Sequence, residues 1–186
     1  MSINFDEIID RRGTSCLKYD FAVERGYPKD VLPFWVADMD FRAPVPVIDA
    51  LAARTAHGIF GYTQIKDDYF NVLRDWFRTH HAWTVQRGEL VITPGVVFAI
   101  ATAIRAYTAP NEAVIIQQPV YYPFASMIRQ NGRTLIDSPL QFADGRYSID
   151  FADFEQKIID HKVKLFILCS PHNPVGRVWT RAELEQ

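Results

Sequence analysis

The sequence predicts an α/β layered fold with a mostly parallel sheet, on three observations. Short apolar runs without polar alternation recur after residue 88, as is typical of strands covered on both faces. A stretch with helical features separates successive runs, and this alternation favours parallel strands. Proline follows all four runs within two residues, where the chain must turn. The predicted strands are ELVIT (89–93), AVIIQQ (113–118), RTLIDS (133–138) and VKLFILC (163–169).

The helix ends are predicted from capping residues. Pro44 opens a helix that Gly58 ends, and Asp150 caps a later helix. Thr180 and Glu183 fit the capping-box pattern and indicate a last helix. Three other helices are predicted. One has an apolar face that runs from Tyr69 to His80, one covers residues 96–107, and one follows PVYYPF and ends near Asn131.

The chain before Pro44 is irregular in sequence. It contains turn signals and the aromatic segment PFWVADMDF, but no sustained helical or strand period. We interpret residues 1–43 as an extended arm and residues 44–186 as part of a layered domain.

Composition excludes several classes of function. The 186 residues are 48% hydrophobic and 23% charged, with a net charge of -2, which gives no reason to expect nucleic acid or a membrane surface as partner. Cys16 and Cys169 lie far apart and match no metal-ligand spacing, so we expect reduced thiols. The N-terminus has no secretory pattern, and no run reaches the roughly 20 apolar residues that span a bilayer. We therefore expect a cytoplasmic protein without a bound metal.

Ligands of open α/β folds bind beyond the carboxyl ends of the strands, and three predicted strand exits carry unusual residues. In TPGVV (93–97) a helix begins, and its free amides and dipole favour an anion such as phosphate. Many turns of this kind bind nothing, which is the alternative. After the next strand, Tyr121 and Tyr122 either offer a ring to a planar cofactor, or one packs in the core while the other meets solvent.

The third exit is SPHNPVG (170–176). Pro171 and Pro174 restrict the backbone around Asn173, so that its side-chain amide points in a fixed direction. A turn formed by the Asn-Pro pair is the alternative. We interpret His172 as a surface-loop histidine without a catalytic role.

In their order and context, the three exits resemble those of pyridoxal-phosphate enzymes with the aspartate-aminotransferase fold. The stretches LPFWVADMDF (32–41), HGIFGYT (57–63) and CSPHNPVGRVWT (169–180) are similar to the MalY/PatB group of cystathionine β-lyases and related C–S lyases. The resemblance covers nearly the whole chain. It implies that residues 1–43 are an N-terminal arm or part of a small domain, and that residues 44–186 are the first half of the large cofactor domain.

The resemblance also implies a role for several residues. The backbone amides of Val96 and Val97 would bind the phosphate of pyridoxal 5'-phosphate. Tyr121 would stack on the pyridine ring, and Asn173 would donate a hydrogen bond to its phenolic oxygen. The implied reaction converts L-cystathionine or a cysteine conjugate to a thiol, pyruvate and ammonia.

Two further residues are implied outside that strand edge. Tyr62 resembles a tyrosine that reaches the phosphate from a partner subunit, which implies a homodimer. The segment around Ala37 resembles the stretch that closes over the carboxylate of a small amino-acid substrate.

Covalent chemistry with this cofactor needs a lysine. In the family this lysine comes later in the chain than SPHNPVG, and we assign the role to none of the lysines present. We therefore expect the Schiff-base lysine beyond the C-terminus. We also expect the chain to be an N-terminal fragment that is inactive alone and that packs against the remainder of its own chain.

Two alternatives stay open, and one further motif match is set aside. An aminotransferase of the same fold would share SPHNPVG and the stacking tyrosine. A short non-catalytic binding or regulatory module would need a partner to cover its apolar helices and open sheet edge. Ser15 and Lys18 match the S-x-x-K pair of penicillin-binding enzymes, but the accompanying motifs are absent, and we interpret the match as chance.

Overall fold

The structure, a computed structural model, describes residues 4–186, which divide into two compact units that meet between Lys66 and Asp67. The first three residues of the predicted arm lie outside the described residues. The predicted division after residue 43 separates an arm from the first half of a cofactor domain, and it stays a prediction. The helices are α1 Val45–His57, α2 Asp67–His81, α3 Val96–Tyr107, α4 Pro123–Gln130, α5 Phe151–His161 and α6 Arg181–Glu185. The strands are β1 Ala113–Ile116, β2 Thr134–Asp137, β3 Gln141–Ala143, β4 Arg146–Ser148 and β5 Leu165–Phe166.

The first unit contains α1 and an irregular segment before it. Pro44 occupies the N-cap of α1, and Gly58 ends the helix with a φ of 73°, which confirms the predicted helix. The irregular segment contains one short 3-10 turn, Val23–Arg25.

An ionic network ties the irregular segment together. Arg11 donates to Asp38 and to Asp40 at 2.6 Å each, and the Tyr19 hydroxyl donates to Asp40 at 2.8 Å. The Lys18 ammonium is buried and donates to the Asp38 carbonyl at 2.8 Å. The hydrogen bonds from Arg11 lower the pKa of both aspartates. Lys18 is thus committed to this network, in agreement with interpreting the S-x-x-K match as chance.

The second unit is built on a parallel three-stranded sheet in the order β2-β1-β5. Ala113 pairs with Thr134 at the start of β1, and Val114 pairs with Leu165. All four residues of β1 are buried, as expected for a central strand covered on both faces.

Alternate residues of β1 enter two apolar clusters. Val114 and Ile116 pack with Ile104 of α3 and with Phe124 and Ile128 of α4. On the other face, the cluster that contains Ala113 and Ile115 is completed by Phe154 and Ile158 of α5. The predicted layered α/β fold is therefore confirmed in this unit.

Two predicted strands differ from the structure. Residues 90–93 form no strand, and Val91 is 79% exposed. The physical reason is that a strand exists only by pairing, and these residues have no neighbouring strand among residues 4–186. The strand predicted over 163–169 is limited to Leu165–Phe166, because only these residues pair with β1.

The antiparallel hairpin of β3 and β4 was not predicted. Asp144 and Gly145 form its turn with φ values of 51° and 74°. The Asp-Gly pair between two short alternating segments is the sequence signal that could have identified it.

The predicted caps of the last two helices are confirmed. The Asp150 carboxylate accepts from the Asp153 amide at 3.1 Å at the start of α5. Thr180 and Glu183 form a reciprocal capping box at the start of α6. Within the described part of the chain, no helix combines the length and the apolar character that a membrane span requires.

Candidate functional site

Two of the three predicted strand exits lie at one edge of the sheet. Since β1 and β5 are parallel neighbours, the loops that follow them leave the sheet in the same direction. The first loop carries Tyr121, and the second carries Asn173. The remaining predicted exit, TPGVV (93–97), does not follow a strand in the structure. It leads into α3, whose Ile100 packs against the same apolar cluster as Tyr121.

The N-terminus of α3 presents free amides. Gly95 precedes the helix with a φ of 131°, a value that L side chains rarely adopt, and a Cβ there would meet no atom within 4 Å. A hydrogen bond from Ala99 to the Gly95 carbonyl, at 3.2 Å, begins the helical pattern. The amides of Val96, Val97 and Phe98 precede it, and no side chain caps this helix end. The arrangement fits a phosphate, because the dipole and the free N–H groups point the same way.

Tyr121 is half-buried, and its orientation is set by its neighbours. Its ring lies edge-on to Phe124 at 5.9 Å and tilted to Tyr122 at 5.8 Å. Tyr122 is 74% exposed. Tyr121 therefore combines a packed side with some exposure, as a residue that stacks on a planar ligand requires.

Asn173 is exposed at the tip of the second loop. Its backbone amide donates to the Cys169 thiol sulfur at 3.4 Å. Among residues 4–186, its side-chain amide has no hydrogen-bond partner. That amide is thus available to a ligand.

The interpretation of His172 as a surface-loop residue is wrong, because the side chain is 1% exposed. The loop folds back on itself, and Trp179 covers the imidazole edge-on at 5.5 Å. The imidazole Nε2 lies 3.0 Å from the Pro119 carbonyl oxygen. Burial lowers the pKa of His172, while the carbonyls of Pro119 and Gln117 act in the opposite direction. Local sequence pattern carries no signal for this burial, since the covering Trp179 comes from seven positions further along the chain.

Tyr62 and Ala37 belong to the first unit, and both are exposed. Val36, next to Ala37, has a φ of 63°, an unusual value for a β-branched residue. The backbone is therefore strained in the segment that the sequence associates with the substrate. The roles of Tyr62 and Ala37 stay predictions.

The lysines of the second unit lie away from the edge that carries Asn173. Lys157 forms an ion pair within α5 at 2.9 Å. Lys162 and Lys164 border a cleft with Ala113 and Thr134, at the amino ends of β1 and β2. The loops at the carboxyl edge of the sheet therefore carry an aromatic ring and a free amide, and no lysine of this unit belongs to them.

Comparison with known proteins agrees with this geometry. A family model described as aminotransferase class I and II matches residues 29–186. Cystathionine beta-lyase PatB of Bacillus subtilis (strain 168) is 46% identical over 182 residues, which cover 98% of this chain and 47% of the relative. Protein MalY of Escherichia coli (strain K12) is 35% identical over 183 residues, with 98% and 47% covered.

A solved structure supports the fold class. The PLP-bound putative aminotransferase from Clostridium difficile 630 matches with a TM-score of 0.90 and 46% identity, over 99% of this chain and 47% of that chain. The predicted resemblance and the predicted fold class are confirmed by these matches. The chain spans about half the length of the curated relatives it matches.

Proposed function

This chain belongs to the aminotransferase class I and II family, and on that premise we propose that it is part of a pyridoxal-phosphate-dependent C–S β-lyase. The proposed substrates are L-cystathionine or cysteine conjugates, and the products are a thiol, pyruvate and ammonia. The observation that carries the proposal is the contact between the Tyr121 and Asn173 loops at one sheet edge, where His172 Nε2 lies 3.0 Å from the Pro119 carbonyl oxygen. The 46% identity to PatB supports the choice of a lyase.

The residues assigned here match the chemical groups of the cofactor. The free amides of Val96 and Val97 would hold the phosphate, and the Tyr121 ring would cover one face of the pyridine. The Asn173 amide would donate to the phenolic oxygen. When bound, the cofactor supplies an electron sink for negative charge that develops on the substrate's α-carbon. The chain's own contribution is therefore orientation of the ring and a directed hydrogen bond to it.

We place the remaining functions outside this edge. Tyr62 of one subunit would reach the phosphate in the other, so that a homodimer forms two sites. The Ala37 segment would lie against the substrate carboxylate. A lysine outside residues 1–186 would bind the cofactor covalently, and these residues alone would be inactive.

Cofactor affinity tests the assigned residues. We expect Asn173→Ala and Tyr121→Ala each to weaken pyridoxal-phosphate binding about tenfold, since each removes a contact worth about 1 to 2 kcal/mol. Asn71→Ala and Tyr107→Ala are the matched controls, because both residues are exposed and lie outside the proposed contacts. The measurement is a titration followed by visible absorption. Equal effects of Tyr121→Ala and Tyr107→Ala would contradict the assignment.

An aminotransferase is the second candidate, because the solved structure described above carries that name. A β-lyase releases pyruvate from L-cystathionine without an added keto acid, whereas transamination requires the keto acid. Pyruvate measured with the full-length protein, with and without 2-oxoglutarate, separates the two. Transamination leaves the C–S bond intact and forms no pyruvate, so glutamate that forms from 2-oxoglutarate without pyruvate would support the aminotransferase.

A further inference from the structure

His172 is a buried titratable residue for which the proposed function has no use. Its neighbours Pro171 and Asn173 are exposed, yet its ring is 1% exposed. Burying a polar ring is unfavourable unless its nitrogens form hydrogen bonds. One nitrogen, Nε2, lies 3.0 Å from the Pro119 carbonyl oxygen, whereas Nδ1 has no hydrogen-bond partner among residues 4–186.

The contact with Pro119 determines which ring nitrogen carries the proton. A carbonyl oxygen only accepts hydrogen bonds, so Nε2 must be the donor. Nε2 therefore carries a proton, and because burial lowers the pKa of His172, we take the ring as the neutral Nε2–H tautomer, with the lone pair on Nδ1. The His172 loop thus supplies the donor of this hydrogen bond, and the Pro119 loop supplies the acceptor.

The loop that carries His172 has a frame of its own. The His172 amide donates to the Arg177 carbonyl at 2.6 Å, and the Gly176 amide donates to the His172 carbonyl at 2.8 Å. The Trp179 indole N–H closes the loop onto the Cys169 carbonyl at 2.9 Å. These bonds shape the loop internally, but none of them reaches the loop that follows β1.

The bond from His172 to Pro119 is the one hydrogen bond between residues 117–122 and 167–179 in the part of the chain that the structure describes. Asn173 directly follows His172, and Tyr121 lies two positions beyond Pro119. A single side-chain bond therefore joins the backbones that carry the ring and the amide.

We infer that His172 is a positioning residue, which holds the Asn173 amide at a set distance from the Tyr121 ring through its bond to Pro119. The inference rests on the proposed function, in which the Tyr121 ring and the Asn173 amide contact the same cofactor. It does not make His172 a catalytic residue, because the residue is 1% exposed and its imidazole is enclosed by Pro119 and Trp179.

Two substitutions separate the hydrogen bond from the packing. In His172→Gln the side-chain amide nitrogen can donate to Pro119, whereas in His172→Leu the space is filled without a donor. We expect His172→Leu to weaken pyridoxal-phosphate binding about tenfold and His172→Gln to keep it within about threefold of the wild type. His161→Leu, at the exposed end of α5, is the control and leaves the affinity unchanged.

A double-substitution cycle tests whether His172 acts through Asn173. In the Asn173→Ala background, we expect His172→Leu to weaken binding by no more than about twofold, because the amide that it positions is already absent. The inference would be overturned if the affinity loss of the double variant equalled the product of the two single-variant losses. Equal losses of affinity for His172→Leu and His172→Gln would also overturn it.

A measurement without cofactor tests the bond itself. Long-range ¹H–¹⁵N correlation of the histidine rings is expected to show His172 as the Nε2–H tautomer at neutral pH, and an Nδ1–H tautomer would overturn the inference. This measurement uses the wild-type protein, so it remains possible if His172→Leu fails to fold. Wild-type protein that binds no pyridoxal phosphate would overturn the proposed function, while the tautomer would still decide the bond. Wild-type binding that His172→Leu leaves unchanged would overturn the inference alone.

Discussion

At the scale of single residues, His172 shows how one buried group makes stability depend on pH. Burial lowers its pKa from the ordinary value of 6.5. Above that pH, the residue is neutral in both the folded and the unfolded chain. As the pH falls below it, the unfolded chain binds a proton that the folded chain does not, so the free energy of unfolding decreases.

We predict that His172→Gln reduces this acid sensitivity. Between about pH 7.5 and about pH 5.5, the wild type should lose more unfolding free energy than the variant, since the variant has no proton to bind at this position. Urea denaturation at the two pH values measures both losses. Equal losses would show that burial does not lower the pKa of His172 in the folded protein.

At the scale of elements, the helices follow their local capping signals closely. The Asp150 carboxylate at the start of α5 accepts from the Asp153 amide at 3.1 Å and from the Gln141 side chain at 2.6 Å. Such a cap satisfies a backbone amide that the helix itself leaves free. The cap is therefore encoded within a few residues, and the sequence predicts it without knowledge of the sheet.

We predict that Asp150→Ala lowers the free energy of unfolding by about 1 kcal/mol, because an alanine N-cap accepts no hydrogen bond. Asp150→Asn keeps an acceptor and should cost a few tenths of a kcal/mol. Asp160→Ala is the control on the same helix, since Asp160 lies near the C-terminus of α5, where a negative charge is unfavourable. Chemical denaturation measures all three variants. A loss in Asp160→Ala as large as that in Asp150→Ala would contradict the capping explanation.

The strands depend on partners that local sequence does not contain. The β1 segment has β2 and β5 on its two sides, and it forms as predicted. The equally apolar residues 90–93 have no paired neighbour among residues 4–186 and stay irregular. The hairpin of β3 and β4 shows the converse, because a two-residue Asp-Gly turn supplies the partner locally.

At the scale of the whole molecule, the second unit depends on the two apolar clusters that cover β1. Ile128 of α4 is fully buried in one of them. We predict that Ile128→Ala lowers the free energy of unfolding by about 2 to 5 kcal/mol, through lost burial and the cavity that remains. Ile159→Ala is the matched control on α5, because Ile159 is 62% exposed and should change stability by about 0.5 kcal/mol or less. Similar losses in a urea titration of the two variants would contradict this placement of the core.

The sequence by itself determined the layered α/β class and most helix ends, and it supplied the candidate site residues, whose roles stay predictions. Caps, prolines and buried-strand runs act over a few positions, so they can be recognised in Asp150, in the Thr180 capping box and in β1. The motif around Asn173 was recognisable for the same reason.

Only the tertiary structure decided the burial of His172, the irregular course of residues 90–93 and the meeting of the Tyr121 and Asn173 loops. Each of these depends on whether residues that are distant in sequence make contact. The imidazole of His172 is buried because the Pro119 carbonyl, 53 positions earlier, accepts its hydrogen bond and Trp179 covers its ring. Such contacts are properties of the packed chain, and a local pattern of residue types does not contain them.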